Sequence, residues 1–176
     1  YYAEKVRKEK YDLDENELKP YFQLENVRDG MFLLTTKLYG LQFELLKDIP
    51  TYHPDVEVFK ISEANGDLVG LLYLDYFPRE SKGQGAWCST LRDGTTDKDG
   101  NRVYPIATIT CNFTQPTGDL PALLSLDETE ALFHEFGHAL HGMLANTQYP
   151  NLSGTSVYWD FVELPSQFLE NYCYEP

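Results

Sequence analysis

Three of the chain's four histidines, His134, His138 and His141, fall within eight positions, and Glu135 stands beside the first. His134-Glu135-Phe136-Gly137-His138 has the H-E-x-x-H spacing. On a helix, four residues bring side chains back to the same face one turn later, so the two imidazoles can reach a single cation. Zn²⁺ accepts neutral imidazole nitrogen at about 2.0–2.1 Å and keeps one position open for water in catalytic sites. Glu135 projects to the flank of the histidine pair, where a carboxylate can take a proton from water without occupying the metal. The competing reading is a solvated polar helix face, and the strength of the helix signal weighs against it.

Two histidines leave a catalytic zinc one protein ligand short. The candidates lie in Asp160-Phe161-Val162-Glu163-Leu164-Pro165-Ser166-Gln167-Phe168-Leu169-Glu170. If this segment is helical, Glu163, Gln167 and Glu170 share one stripe, and Phe161, Val162, Leu164, Phe168 and Leu169 cover the rest. A helix apolar over most of its circumference is buried, so carboxylates on the remaining stripe need partners. Pro165 is tolerated only in a first helical turn or at a kink, which blurs the phase. Spacing alone leaves both Glu163 and Glu170 open as the third ligand.

The elements that must hold these residues are legible to different degrees. Ser125-Leu126-Asp127-Glu128 is an S-x-x-E capping box, and it predicts a helix over 126–145. Leu132, Phe136, Leu140 and Met143 form its core-facing stripe; His134, His138, His141 and Glu130 take the opposite side. Upstream, residues 1–19 read as helical up to the break at Lys19-Pro20, and 20–39 as a second helix. In the latter, Leu24, Val27, Met31, Leu34 and Leu38 recur at helical steps, with Gly40 at the C′ position. Residues 41–46 alternate like a strand. Segments 56–61 and 68–77 flank Asn65-Gly66-Asp67 as a β-hairpin, and 86–91 and 103–113 read as two further strands joined by a polar loop. His53, beside Pro54, reads as a loop residue.

Composition narrows the class. The 176 residues carry 14 basic and 28 acidic side chains, a formal charge of −14, and 42% are hydrophobic. That balance is globular, with a single domain's worth of chain, and excludes a disordered tail or a collagen-like repeat. No apolar run approaches the roughly 18 residues of a membrane span. The acidic balance argues against nucleic acid as a partner, because phosphate contacts need clustered Lys and Arg. Cys88, Cys111 and Cys173 are odd in number and widely spaced, which reads as free thiols.

Phe133 to His141, Ser153-Gly154-Thr155 and the segment Asp160 to Gln167 together resemble the M3 family of zinc metallopeptidases, the thimet oligopeptidase and neurolysin family. Tyr11-Asp12-Leu13-Asp14, Leu18-Lys19-Pro20-Tyr21-Phe22, Tyr52-His53-Pro54-Asp55-Val56 and Ser81 to Trp87 extend the likeness along the chain, toward the family's bacterial peptidyl-dipeptidases. The resemblance implies that one Zn²⁺ per chain is bound by His134, His138 and Glu163, with Glu135 as general base. It implies that Glu130, His141, Asp160 and Glu170 orient those ligands, and that Ala86, Trp87 and Cys88 lie on a strand that pairs with substrate backbone. The fold it implies is α+β: a mainly helical, zincin-like metallopeptidase core with a small β-sheet, truncated. Residues 1–176 form one partial catalytic domain, with a helical lead-in (1–50), the sheet (51–115) and the zinc-binding helices (120–176).

The chain opens at Tyr1 and closes at Glu175-Pro176, which reads as a piece of a longer protein. The tyrosine and histidine that the family uses beyond its zinc motif, to stabilise the oxyanion, are then to be supplied by the rest of the parent peptidase chain, and the piece alone is expected to be poorly active. The expected partners are oligopeptide substrates and that parent chain, with no nucleic acid and no membrane; the expected location is cytoplasmic, with a periplasmic or exported one as the alternative. The expected reaction is release of C-terminal dipeptides from short peptides. The alternatives are an endo-acting oligopeptidase of the same family and a non-catalytic zinc- or peptide-binding module.

Overall fold

A computed structural model describes residues 2–11, 15–118 and 120–175. Helix α1 spans Tyr2–Tyr11, α2 Glu15–Leu18 and α3 Leu24–Tyr39; strands follow at β1 Gln42–Leu46, β2 Glu57–Ser62, β3 Leu68–Asp75, β4 Trp87–Arg92, β5 Thr95–Thr96, β6 Arg102–Val103 and β7 Ile106–Thr110. Helix α4 is Leu126–Leu144, α5 Trp159–Val162 and α6 Leu164–Glu170. The architecture is α+β, as expected. Residues Asp12, Leu13 and Asp14, part of both the expected first helix and the first family-like motif, lie outside the described residues, as does the terminal Pro176.

The lead-in departs from its expected form at one point. Lys19–Tyr21 is a 3₁₀ turn with Pro20 inside it, so α3 starts four residues later than the sequence pattern suggests. Leu24, Val27 and Met31 are buried as expected and Gly40 closes the helix at φ 73°, but Leu38 is 41% exposed. The last buried position is instead Thr35, whose hydroxyl is satisfied within the helix by the carbonyls of Met31 and Phe32.

Five strands form one sheet in the order β1-β2-β3-β7-β4. The β2–β3 hairpin closes through Asn65-Gly66-Asp67, with Asp67 and Gly66 bonding back to Glu63. β3 pairs with β7 in parallel and β4 pairs with β7 antiparallel, which leaves β4 at the sheet edge. The single strand expected over 103–113 is divided: Pro105 interrupts it, and Val103, with Arg102 before it, pairs with Thr95 and Thr96 in a separate ribbon. A proline lacks the N–H a continuous ladder would need at that point.

Both long helices rest on this sheet through one apolar cluster that includes Met31, Ile61, Leu72, Ile109, Leu132, Phe136, Met143 and Leu169. Phe136 is fully buried and meets Phe32 and Phe43 with ring centroids 6.0 and 6.2 Å apart; Phe32 in turn stacks on Phe43 at 4.0 Å. The residue between Glu135 and Gly137 is therefore the anchor that fixes the rotation of α4 about its own axis. The starts of α3 and α4 are also tied, Leu24 N–H to the Ala122 carbonyl and Leu124 N–H to the Phe22 carbonyl, at 2.9 and 2.8 Å.

Candidate metal centre

Helix α4 begins with the reciprocal capping box that its sequence announces. The Glu128 N–H donates to Ser125 Oγ (3.1 Å), and the Ser125 N–H donates to Glu128 Oε2 (2.8 Å). The cap fixes the register, Leu132, Phe136, Leu140 and Met143 go into the core, and the histidines emerge on the other side. The His134 and His138 rings lie 4.9 Å apart, nearly perpendicular.

The third group arrives from the next long-range element. Pro165 occupies the first turn of α6, the one helical position it suits, so Glu163 sits at the junction of α5 and α6 instead of within a continuous helix. Its Oε2 lies 3.2 Å from His134 Nε2 and 3.1 Å from His138 Nε2. Ligand atoms held about 2.0–2.1 Å from a tetrahedral ion stand about 3.3 Å from one another. Two imidazole nitrogens and a carboxylate oxygen at this separation fit one four-coordinate divalent ion, and they form the only such cluster among the described residues.

The surroundings bias each group. Burial pushes the His138 imidazole below its ordinary value, which keeps it in the neutral form a metal requires. The Ser166 hydroxyl donates to Glu163 Oε2 (2.8 Å) and holds that carboxyl below its usual range, with both histidines adding to the effect. Glu135 is only 8% exposed. Burial raises its pKa; His134 and the Cys88 N–H oppose the rise and the Glu163 charge adds to it. A buried carboxyl displaced toward neutrality can both accept and return a proton.

The four residues expected to orient the ligands separate. Glu170 hydrogen-bonds His134 Nδ1, the arrangement that fixes a ligand imidazole's tautomer and ring plane. Glu130 instead accepts the Tyr174 hydroxyl at 3.1 Å. His141 packs edge-on against Phe161, with its Nδ1 buried and unpartnered among the described residues. Asp160 is exposed on α5 and hydrogen-bonds none of the three ligands. His138 Nδ1 is likewise buried without a partner among the described residues. Glu163 and Glu170, the two carboxylates that spacing left open as third ligand, both approach His134, from its two different nitrogens.

Trp87 and Cys88 open the edge strand β4, with Ala86 immediately before it, and Cys88 lies close enough to Glu135 for its N–H to act on the carboxylate. The loop that delivers this strand is fastened around Asp75, a residue the sequence reading passed over. Asp75, at the end of β3, receives both arms of Arg79 at 2.8 Å, Lys82 Nζ at 2.9 Å and the Tyr52 hydroxyl at 3.1 Å. Lys82 also donates to the Asp75 and Phe77 carbonyls, and Asn112 donates to the carbonyls of Gly83 and Gly85. Two of the family-like motifs, Tyr52 to Val56 and Ser81 to Trp87, thus meet at one carboxylate. Ser153, in a third motif, is buried and donates to the Gly94 carbonyl at 2.9 Å. The three cysteines are free.

Fold and site together define an α+β domain with a candidate divalent-metal centre next to a sheet edge. The chain belongs to Peptidase family M3, whose pattern matches residues 1–176. M3 peptidases are metallopeptidases, so membership implies a metal cofactor. The chain is 46% identical over its whole length to the dipeptidyl carboxypeptidase of Escherichia coli (strain K12) and 42% identical to oligopeptidase A of the same organism, covering 26% of each. It is 39% identical, over 99% of its length, to the organellar oligopeptidase A of Arabidopsis thaliana, covering 23% of that protein. It spans about a quarter of the length of these relatives. Among the described residues, no helix is long and apolar enough to cross a membrane.

Proposed function

We propose that this chain carries the metal centre of a zinc peptidase that hydrolyses short peptides, with one Zn²⁺ held by His134, His138 and Glu163. The observation that carries the reading is the convergence of Glu163 Oε2 on two Nε2 atoms at 3.1 and 3.2 Å. When bound, the ion supplies Lewis acidity toward a scissile carbonyl and makes water a better nucleophile near neutral pH. The chain's own groups do the rest. Glu135 accepts the proton of the attacking water and delivers it to the leaving amine nitrogen. Glu170 holds the His134 ring. Ala86, Trp87 and Cys88 present an open strand edge to an extended peptide, whose backbone would add to the sheet.

Release of C-terminal dipeptides is the reading favoured by the 46% identity to a dipeptidyl carboxypeptidase; the 42% identity to an oligopeptidase supports internal cleavage as the second. The zincin-like core rests on the same pairing of a histidine helix with a carboxylate at the junction of the two short helices after it. We place this single partial catalytic domain, 1–176, within a longer parent chain that supplies the remaining cleft walls and an oxyanion-stabilising tyrosine and histidine; oligopeptides are its partners, not nucleic acid or membrane, and the cytoplasm is its location. The test is metal analysis together with peptide hydrolysis by the full-length protein. One zinc per chain, lost in His134→Ala, with zinc retained but turnover abolished in Glu135→Gln, is the expected result, and mass spectrometry of the products separates dipeptide release from internal cleavage. Unchanged turnover in Glu135→Gln would overturn the assignment.

A further inference from the structure

Glycine in a helix interior is less stable than alanine, so each one needs a reason. Helix α4 has two, Gly137 and Gly142, and they are not equivalent. A Cβ on Gly142 would meet nothing within 4 Å. A Cβ on Gly137 would stand 2.5 Å from the Pro165 carbonyl oxygen, 2.6 Å from Ser166 Cα and 2.9 Å from the Pro165 carbonyl carbon. All three are backbone atoms of α6, so no rotamer change relieves the collision.

The two helices therefore touch backbone to backbone one residue before His138 and two residues after Glu163. Ser166, at the same contact, is fully buried. Its hydroxyl meets Glu163 Oε2 at 2.8 Å, the oxygen that faces both histidines, and the Glu163 carbonyl at 2.9 Å. We propose that Gly137 and Ser166 are positioning residues for the third ligand. The missing side chain at 137 sets how closely α6 approaches α4, and the Ser166 hydroxyl fixes where the Glu163 carboxylate points. Opening the contact from 2.5 Å to an ordinary 3.4 Å displaces α6 by most of an ångström. A packed interior transmits such a shift, and a metal site tolerates only about 0.5 Å. This inference rests on the metal-centre reading given above.

The experiment titrates the full chain with Zn²⁺ against a chromophoric chelator and records the visible spectrum with Co²⁺ in its place. Gly137→Ala should lose about 10- to 100-fold in zinc affinity, the usual range for residues that orient ligands, and its cobalt spectrum should match that of Glu163→Ala. Ser166→Ala should lose about tenfold. Gly142→Ala, the same substitution on the same helix, should keep wild-type affinity and spectrum. Far-UV circular dichroism without metal establishes that each variant is folded, so a loss of stability alone leaves the cobalt spectrum of the folded protein unmoved. A folded Gly137→Ala with wild-type affinity and spectrum overturns the proposal. Should Gly137→Ala not fold, Ser166→Ala decides: weakened binding supports it, and wild-type binding overturns it. If the wild-type chain binds neither ion more tightly than a His134→Ala/His138→Ala double variant, the metal-centre reading itself has failed, a distinct result.

Discussion

The molecule has two places where charged groups converge on one point, and they are built on opposite principles. At Asp75 the carboxylate is 2% exposed and fully used, by a bidentate arginine, a lysine whose side chain is equally buried, and a tyrosine hydroxyl. Every donor has its acceptor, and the result is a clamp on the loop before β4. At Glu163 the carboxylate is 49% exposed, and one oxygen faces two imidazole nitrogens. An imidazole nitrogen can accept as well as donate, and the two rings and the carboxylate oxygen converge on one shared point. A saturated cluster holds a fold together, whereas a cluster with lone pairs aimed at common space is built to take something in.

The contrast is sharpest when each cluster loses one member. Lys82→Ala leaves a buried carboxylate short of a charge partner, and breaking a buried pair costs about 3–5 kcal/mol. Chemical denaturation should show that loss whether or not zinc is present. Glu163→Gln should do the reverse. Without metal its stability should stay within about 0.5 kcal/mol of wild type, as for most exposed positions. With zinc at a hundred times the dissociation constant, wild type should gain about 2.7 kcal/mol, and the variant should lose that gain. A Lys82→Ala chain as stable as wild type, or a Glu163→Gln chain that unfolds without metal, would erase the distinction between the clusters.

The same contrast explains how much could be read from sequence. The histidine face of α4 is local: histidines four apart, a capping box eight residues upstream of Phe133 and an apolar stripe all lie within one helix, and all stand in the structure. Glu163 was within reach because its segment is short, and Pro165 left open whether a new helix starts there or one helix kinks; the structure has α5 and α6 as separate helices. The Asp75 clamp draws Tyr52, Asp75, Arg79 and Lys82 from a strand end and two loops, and no periodicity links them. The parallel pairing of β3 with β7 was hidden for the same reason, since the partners come from segments far apart in the chain. Gly137 did leave a signal, a glycine inside the capped helix, but only the position of α6 gives it meaning.

Acid should weaken the clamp in a defined window. Burial favours the neutral form of Asp75, but the bonds from Arg79, Lys82 and Tyr52 outweigh it and hold the carboxyl below the ordinary aspartate value of 3.8. A carboxyl lowered in the folded state contributes stability that is complete above its unfolded pKa and is lost as pH falls through the folded one. The stability gap between wild type and Asp75→Asn should therefore be constant from neutrality down to about pH 4 and shrink below it. A gap that shrinks between pH 5 and 8 would mean that another group controls it.

The smallest effect belongs to a carboxylate in neither cluster. Asp160 lies three residues before Glu163, on the same acidic stretch, and is exposed on α5. If charge near the histidines were enough to build the centre, Asp160→Asn should weaken zinc binding measurably. If the centre depends on atoms placed by Gly137, Ser166 and Glu170, its removal should change affinity less than about twofold and stability by less than about 0.5 kcal/mol. Calorimetric titration of this variant beside Glu170→Gln, which should lose about tenfold through the freed His134 ring, measures how far placement outweighs proximity.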